Sequence, residues 1–266
     1  MKTLPLKQIP NALQFLRYKL AAGNDRCLHS PFVFNFYNQV LKGESKYYVF
    51  DKIESVRSKM VLSDEQIEVH DFGTGGKIKQ PKMRSLAFIT KQYVKPVKEA
   101  QILFRLINYF RPMNILELGT SIGITTMYLA SPDSKSNVLT LEGCSNTAEV
   151  ARKNFEIAGI KNIKQVIGEF SKTLPETVSK TAQLDFVYFD GNHRKMATLE
   201  YFQQCLTKHH EQTIFVFDDI YWSKEMTEAW KIIQQHESVT MTIDLFFIGI
   251  VFFRKEFPKQ HFVLKW

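Results

Sequence analysis

"NILELGTSIGITT" occupies residues 114–126, and its reading decides the fold. An apolar run leads into a turn carrying Gly119, and helical spacing resumes behind it in "SIGITTMYLA". Strand, tight turn and helix in that order make the entry to a nucleotide-type ligand, because backbone N–H groups of the turn face it. A rival stretch, "EVHDFGTGGKIKQ" at 68–80, also sets a carboxylate two residues before a glycine. It has only "IEV" ahead of it, and the "KIKQPK" behind it makes a poor buried helix. A ribose is gripped by an acid closing the next strand, roughly 20 residues or more after the loop. Glu142, at the end of "NVLTLE", stands at that distance from Gly119, and nothing equivalent follows Gly76. The first stretch is therefore the ligand loop. Glycines 73–76 read as a linker, or more sharply as a lid in which Lys77, Lys79 and Lys82 offer charge to an anionic acceptor.

Outward from the loop, short apolar runs alternate with helical segments. The runs are "NVLTLE", "IKQVIG" (163–168), "LDFVYFD" (184–190) and "TIFVFDD" (213–219). Between them lie "SNTAEVARKNFEIAG", with Ser145 as cap and Gly159 as stop, and the helical 194–207. Such alternation predicts a doubly wound, mainly parallel sheet with helices on both faces. "VTMTIDLFFIGIVFFRK" leaves no room for a crossover helix, so an antiparallel hairpin turning near Phe247–Gly249 closes the sheet. Upstream, residues 11–22, 31–42, 48–61 and 97–110 have helical spacing, with Ser30 as a cap and Pro31 in a first turn. The division expected is a helical N-terminal cap over 1–96 and the ligand-binding α/β domain over 97–266.

Composition sets bounds. Of the 266 residues, 44% are hydrophobic and 22 are phenylalanine, which supplies a thick core or an aromatic pocket. The formal charge is +8, but the lysines are scattered without a block, which reads as a solvated basic surface and not as a nucleic-acid footprint. Cys27, Cys144 and Cys205 form no close pair, which excludes a disulfide framework or zinc ribbon and fits a reducing cytoplasm. The longest greasy stretch, "LFFIGIVFF" at 245–253, falls short of the ~20 residues of a membrane span.

A dinucleotide fingerprint is excluded: counted from Gly119, its second and third glycines would be Ser121 and Ile124. What stands instead is E-x-G-x-x-x-G, made by Glu117, Gly119 and Gly123. It resembles motif I of the class I S-adenosylmethionine-dependent methyltransferases, and the resemblance extends over about 97–255. "ILELGTSIGITTMYLA", "VLTLEGC", "ARKNFEIAGIKNIKQVIGEF", "LDFVYFDGNH" and "FVFDDI" are most similar to the catechol and caffeoyl-CoA type O-methyltransferases. The resemblance implies a seven-stranded sheet with the hairpin at its end. It also implies that Glu117 and the backbone at Gly119, Thr120 and Gly123 meet the amino-acid end of S-adenosylmethionine. Ser121 and Thr125 would bond its carboxylate, Glu142 the ribose, and Gly168, Glu169 and Phe170 would border the adenine, with Asp190 alongside.

Methyl transfer to a hydroxyl needs the nucleophile held in line and its proton removed. A divalent metal does both through oxygen ligands. Asp190 ends one strand run and Asp218-Asp219 end the next, so three carboxylates converge beside the methyl group. In the resembled family an aspartate and an Asp-Asn pair hold the ion. Here Asp219 replaces the asparagine, which keeps a hard cation such as Mg²⁺ but leaves its identity open. The family's lysine base, three residues after the first aspartate, is His193 here, whose ordinary pKa of about 6.5 suits proton abstraction. "DGNH" lacks the Asn/Asp-Pro-Pro-aromatic sequence of nucleobase N-methyltransferases. The expected activity is O-methylation of a small molecule, with a metal-independent transferase or a non-catalytic module of the same fold as rivals. Tyr221 and Trp222 line the acceptor pocket or merely pack, and His209 and His210 are expected at the surface. The oligomeric state stays open, a homodimer included.

Overall fold

Short helices come first along the chain, in a computed structural model that describes residues 12–24, 29–70 and 81–266. These are α1 (Ala12–Ala21), α2 (Pro31–Phe36), a π-helical turn (Tyr37–Leu41) and α3 (Tyr48–Val61). Ser30 caps α2 as expected, its side chain accepting from the Val33 N–H, with Pro31 as first helical residue. The periodicity of 31–42 suggested one continuous helix, but the chain widens into the π turn at Tyr37 and buries Tyr37, Val40 and Leu41 together. Strands β1 (Gln66–Val69) and β2 (Lys82–Ser85) then pair antiparallel. They flank 71–80, so the linker and lid readings of the glycines, Lys77 and Lys79 lie outside the described residues. Lys82 opens β2. Helices α4 (Leu86–Tyr93) and α5 (Val97–Phe110) complete this part.

The alternation after Pro112 then runs β3 (Asn114–Leu118), α6 (Ile124–Ala130), β4 (Asn137–Glu142), α7 (Ser145–Ala158), β5 (Ile163–Ile167) and α8 (Phe170–Lys180). It continues with β6 (Phe186–Phe189), α9 (Lys195–Leu206), β7 (Ile214–Asp218), α10 (Lys224–Gln235), β8 (Met241–Asp244), β9 (Ile248–Phe252) and β10 (Gln260–Val263). The sheet order is β10-β8-β9-β7-β6-β3-β4-β5. Seven strands follow the expectation, including the antiparallel β8–β9 hairpin. The eighth, β10, adds parallel to β8. Every residue of β6 and β7 is buried, as central strands covered on both faces require. Gly159 ends α7 in the left-handed conformation. Ser145, expected to cap that helix, is its first residue instead, and the cap position is Cys144 with no side-chain bond.

Helices α2 and α5 share one buried core with the sheet, including Phe36, Leu103, Phe186 and Ile250. Leu174, Phe202 and Trp230 from α8, α9 and α10 fill the other face. Helices α3 and α4 pack with α5, α6 and α7 around Ile53, Ile89, Phe104 and Tyr128. β3 has β4 on one side and β6 on the other, so the order of connection reverses there. Open α/β sheets bind ligands at that reversal, outside the carboxyl ends of the strands. Among the described residues, no helix is long and apolar enough to cross a membrane.

Candidate functional site

The turn after β3 is pressed against the turn after β6. Gly119 has φ +108°, and a Cβ there would lie 2.2 Å from the Asp190 carbonyl oxygen, so no side chain fits. The Gly119 and Thr120 N–H groups both donate to the Leu141 carbonyl, 2.9 and 3.2 Å away, tying the turn to β4. Gly123, at φ +81°, precedes α6, and a Cβ there would run into the Phe155 ring at 2.5 Å. Glycine is required at both places by space as well as by dihedral.

Glu117 is fully buried in β3, where its Oε2 accepts from Thr126 Oγ1 at 2.5 Å and Thr140 Oγ1 at 2.6 Å. Thr140 also bonds the Thr120 hydroxyl at 2.5 Å. Among the described residues, Oε1 of Glu117 has no partner. Burial, partly offset by the two threonine bonds, pushes this carboxyl up to about 8. A buried carboxylate oxygen without a donor is costly, and it marks a place where a ligand ammonium would be welcome.

At the end of β4, Glu142 Oε2 accepts from the Ser121 N–H at 2.7 Å and Oε1 from the Cys144 N–H at 2.9 Å. Each oxygen keeps a lone pair for a hydroxyl donor. Burial raises its pKa, opposed by these bonds. Ser121 sits in the left-handed region at φ +49°, which aims its N–H at that carboxylate. Thr125 is buried in the first turn of α6. Gly168, at φ +143°, donates its N–H to the Glu142 carbonyl at 2.8 Å. Glu169 then stands at the N-cap position of α8 without a side-chain capping bond, with Lys172 at 3.7 Å, and Phe170 begins the helix. The Phe170 ring lies so close to Gly191 that a Cβ there would be 2.5 Å away, which puts this ring beside the Asp190 turn. The fold thus gathers the residues expected around the ligand on the β3, β4, β5 and β6 turns.

The carboxylates meet on the β6–β7 side. The Asp190 N–H donates to the Leu118 carbonyl at 2.9 Å, and Asp190 Oδ1 lies 3.6 Å from His193 Nε2. Ligating atoms of Asp190, His193 and Asp218 all fall within 4.8 Å of one another. Asp219 is not in that group; its backbone turns into the left-handed region at φ +52°. Burial draws the His193 pKa down, but Asp190, Asp219 and Asp218 outweigh it and lift it to about 9. Burial and the neighbouring Asp190 raise Asp218 to about 7, against the pull of Lys95.

Lys95 is the residue that sequence reasoning missed. Its ammonium is buried against Asp218 Oδ1, 3.6 Å from Asp219 Oδ1 and 3.7 Å from Glu99 Oε2. Burial acts to discharge it, and Asp218, Asp219, Asp190 and Glu99 more than restore its charge, leaving its pKa above that of a free lysine. Tyr221 hydrogen-bonds Asp244 and stacks on Phe246 at 5.2 Å, whereas Trp222 is exposed. His209 and His210 are partly exposed: His210 Nε2 meets Asp185 Oδ1 at 2.8 Å and His209 packs on Phe253.

Residues 116–220 match the model of a family described as "Methyltransferase domain". Over this segment the chain is similar to methyltransferase domains. Around it the chain is similar to catechol O-methyltransferases. That of Niastella koreensis is 34% identical over 110 residues, 40% of this chain and 49% of the relative. That of Mycobacterium tuberculosis is 28% identical over 125 residues, 46% of this chain and 55% of the relative. The chain thus spans about half the length of these curated relatives. A methyltransferase of Podospora anserina, solved with SAH, shares the domain's fold at TM-score 0.60 and 12% identity, with 96% of this chain and 100% of the other covered. An O-methyltransferase of Bacillus cereus, also with SAH, gives TM-score 0.55 and 19% identity over 88% of this chain and 99% of the other.

Proposed function

We propose that the methyltransferase domain moves the methyl group of S-adenosylmethionine to a hydroxyl of a small molecule. The observation that carries this reading is the unpartnered, buried Oε1 of Glu117 beside a turn that admits no side chain at Gly119. The turn is held against the Asp190 turn at the carboxyl end of β3, and the cofactor's ammonium would satisfy that oxygen. Glu142 would take the ribose hydroxyls through the free lone pairs of its two oxygens. Phe170 would offer its ring to the adenine. Of the expected carboxylate contacts, Ser121 keeps its side chain for the task, whereas Thr125 is buried and contributes less.

Bound S-adenosylmethionine supplies an electrophilic methyl on a sulfonium. In its neutral form, which its raised pKa of about 9 makes abundant only at alkaline pH, His193 Nε2 would accept the acceptor's hydroxyl proton as the new C–O bond forms and the C–S electrons pass to sulfur, so turnover should rise with pH toward 9. Asp190 would orient the imidazole and stabilise its cation. The divalent ion implied by the resemblance fits this donor set poorly. One of its three expected ligands, Asp219, stands outside the cluster, and another, Asp218, already carries the Lys95 ammonium. The similarity to catechol O-methyltransferases, over about half of their length, favours a phenolic acceptor, and the helices before residue 97 would close its pocket as a cap.

An acceptor screen over catechols, flavonoids and hydroxycinnamates, read as S-adenosylhomocysteine release, tests the proposal. Turnover that falls 10²- to 10⁴-fold in His193→Gln supports it. Glu142→Ala with unchanged cofactor affinity would remove the ribose assignment. Tight cofactor binding with no turnover on any hydroxyl compound would leave a binding module of the same fold.

A further inference from the structure

A lysine buried among carboxylates at the ends of two strands needs a reason beyond stability, since burying an ammonium is costly unless its partners are fixed. Lys95 is fixed from both ends. Its carbonyl accepts from Arg57 Nη1 at 2.8 Å, and the following Pro96 stands at the N-cap of α5. Its ammonium meets Asp218 directly, with Asp219 and Glu99 just beyond. Asp218 is 1% exposed and cannot turn to another partner in water. An ion coordinated by Asp218 would need its oxygen at roughly 2.0–2.6 Å, and would have to share it with a charge of the same sign.

We propose that the Lys95 ammonium is the resident cation of the Asp190–Asp218–Asp219 cluster, occupying the role of a divalent ion and making the cluster independent of metal. The inference rests on the methyltransferase reading for its purpose, but not for its test. Lys95 is a positioning residue. Its single charge offsets one of the two negative charges of Asp218 and Asp219, which leaves Asp190 as the carboxylate that serves His193. The arrangement also accounts for an aspartate at 219: an anionic side chain there faces an ammonium 3.6 Å away.

The test is a titration of metal-stripped protein with Mn²⁺, read as loss of the free-ion electron paramagnetic resonance signal. The wild-type chain is expected to bind no stoichiometric Mn²⁺ below millimolar concentration. Lys95→Ala, which uncovers Asp218, is expected to gain at least tenfold in Mn²⁺ affinity, and Lys95→Arg to behave as wild type. Far-UV circular dichroism establishes that each variant is folded. Should Lys95→Ala not fold, Lys95→Thr, which leaves a hydroxyl facing the carboxylates, takes its place. One equivalent of Mn²⁺ bound by the wild type at micromolar concentration would overturn the inference, as would folded variants lacking Lys95 that bind no better than wild type. Calorimetry with S-adenosylhomocysteine is run alongside. Its failure would count against the methyltransferase reading and leave the Mn²⁺ result standing. With an acceptor in hand, turnover unchanged by thorough chelation is the matching kinetic outcome, and a tenfold loss restored by Mg²⁺ the opposing one.

Discussion

Glu117 shows how one buried carboxyl links stability to ligand binding. Its folded-state pKa is about 8, against 4.5 for the ordinary group, with burial as the main cause. The folded chain therefore holds a proton that the unfolded chain releases above pH 4.5. The stability this group contributes is whole below that pH and is lost as pH rises through 8. At about 1.4 kcal/mol per pH unit, the loss between pH 5 and 8 is roughly 3 kcal/mol. Glu117→Gln removes the titration, so denaturant melts at pH 5, 6.5 and 8 should show the variant gaining on wild type by that amount. A gap that does not move with pH would mean the carboxyl is ionised throughout. Gly119→Ala tests the neighbouring contact. Its Cβ would meet the Asp190 carbonyl at 2.2 Å, so the turns of β3 and β6 must part. We expect a destabilisation of at least ~2 kcal/mol and the loss of S-adenosylhomocysteine binding by calorimetry. Retained binding would mean that the turn can shift without cost to the ligand.

At the scale of the element, α5 ends on Arg111 at φ +51°, a left-handed position ahead of Pro112. Arg111→Gly removes the Cβ strain but frees the unfolded chain, a net gain of about 0.5 kcal/mol. Arg111→Val, β-branched in the same conformation, should lose about 1 kcal/mol. Thermal melts of the pair check the sign, and a fall in both would show that the Arg111 side chain matters more than its backbone. Which elements the sequence reveals follows from their place in the sheet. Strands β6 and β7 are legible because both faces are covered and the run is apolar up to the aspartate that ends β7. β10 reads "QHFV" with its first two residues exposed, so an edge strand passes for a polar tail. α8 carries Pro175 in its interior, a signal against a helix, and only the packing of Leu174 and Val178 overrides it. The same divide runs through the site. Gly119, Glu142 and Asp190 are legible because the turn that follows a strand fixes where each must be. Lys95 stands in "VKPVKEA", where two lysines and a glutamate read as a solvated helix start. Its burial depends on Asp218, more than a hundred residues onward, and no local pattern announces that.

Across the whole molecule, the division at 96/97 is proposed as one of function, a cap on a catalytic core, and not as two folding units. Val33, Phe36, Tyr37, Val40 and Leu41 lie in the same buried cluster as strand residues Phe186, Ile214 and Ile250. Phe50, Ile53, Val56, Leu86 and Ile89 are likewise shared with α5, α6 and α7. Each such side chain contributes about 1.5–3 kcal/mol when fully buried. Losing all of them rivals the roughly 5–15 kcal/mol by which a whole domain is stable. Excising 97–266 also removes Lys95 and leaves Asp218 buried at the end of β7 without its counter-charge, a penalty of the order of 3–5 kcal/mol for a broken buried pair. We therefore expect the isolated 97–266 fragment to lack a cooperative thermal transition by circular dichroism and to bind no S-adenosylhomocysteine. Adding Asp218→Asn to the fragment removes the stranded charge but not the bared apolar faces, so it should recover little. A cooperative melt near that of the full chain would instead make 97–266 a self-standing domain, and the N-terminal helices an appendage whose contacts serve only the site.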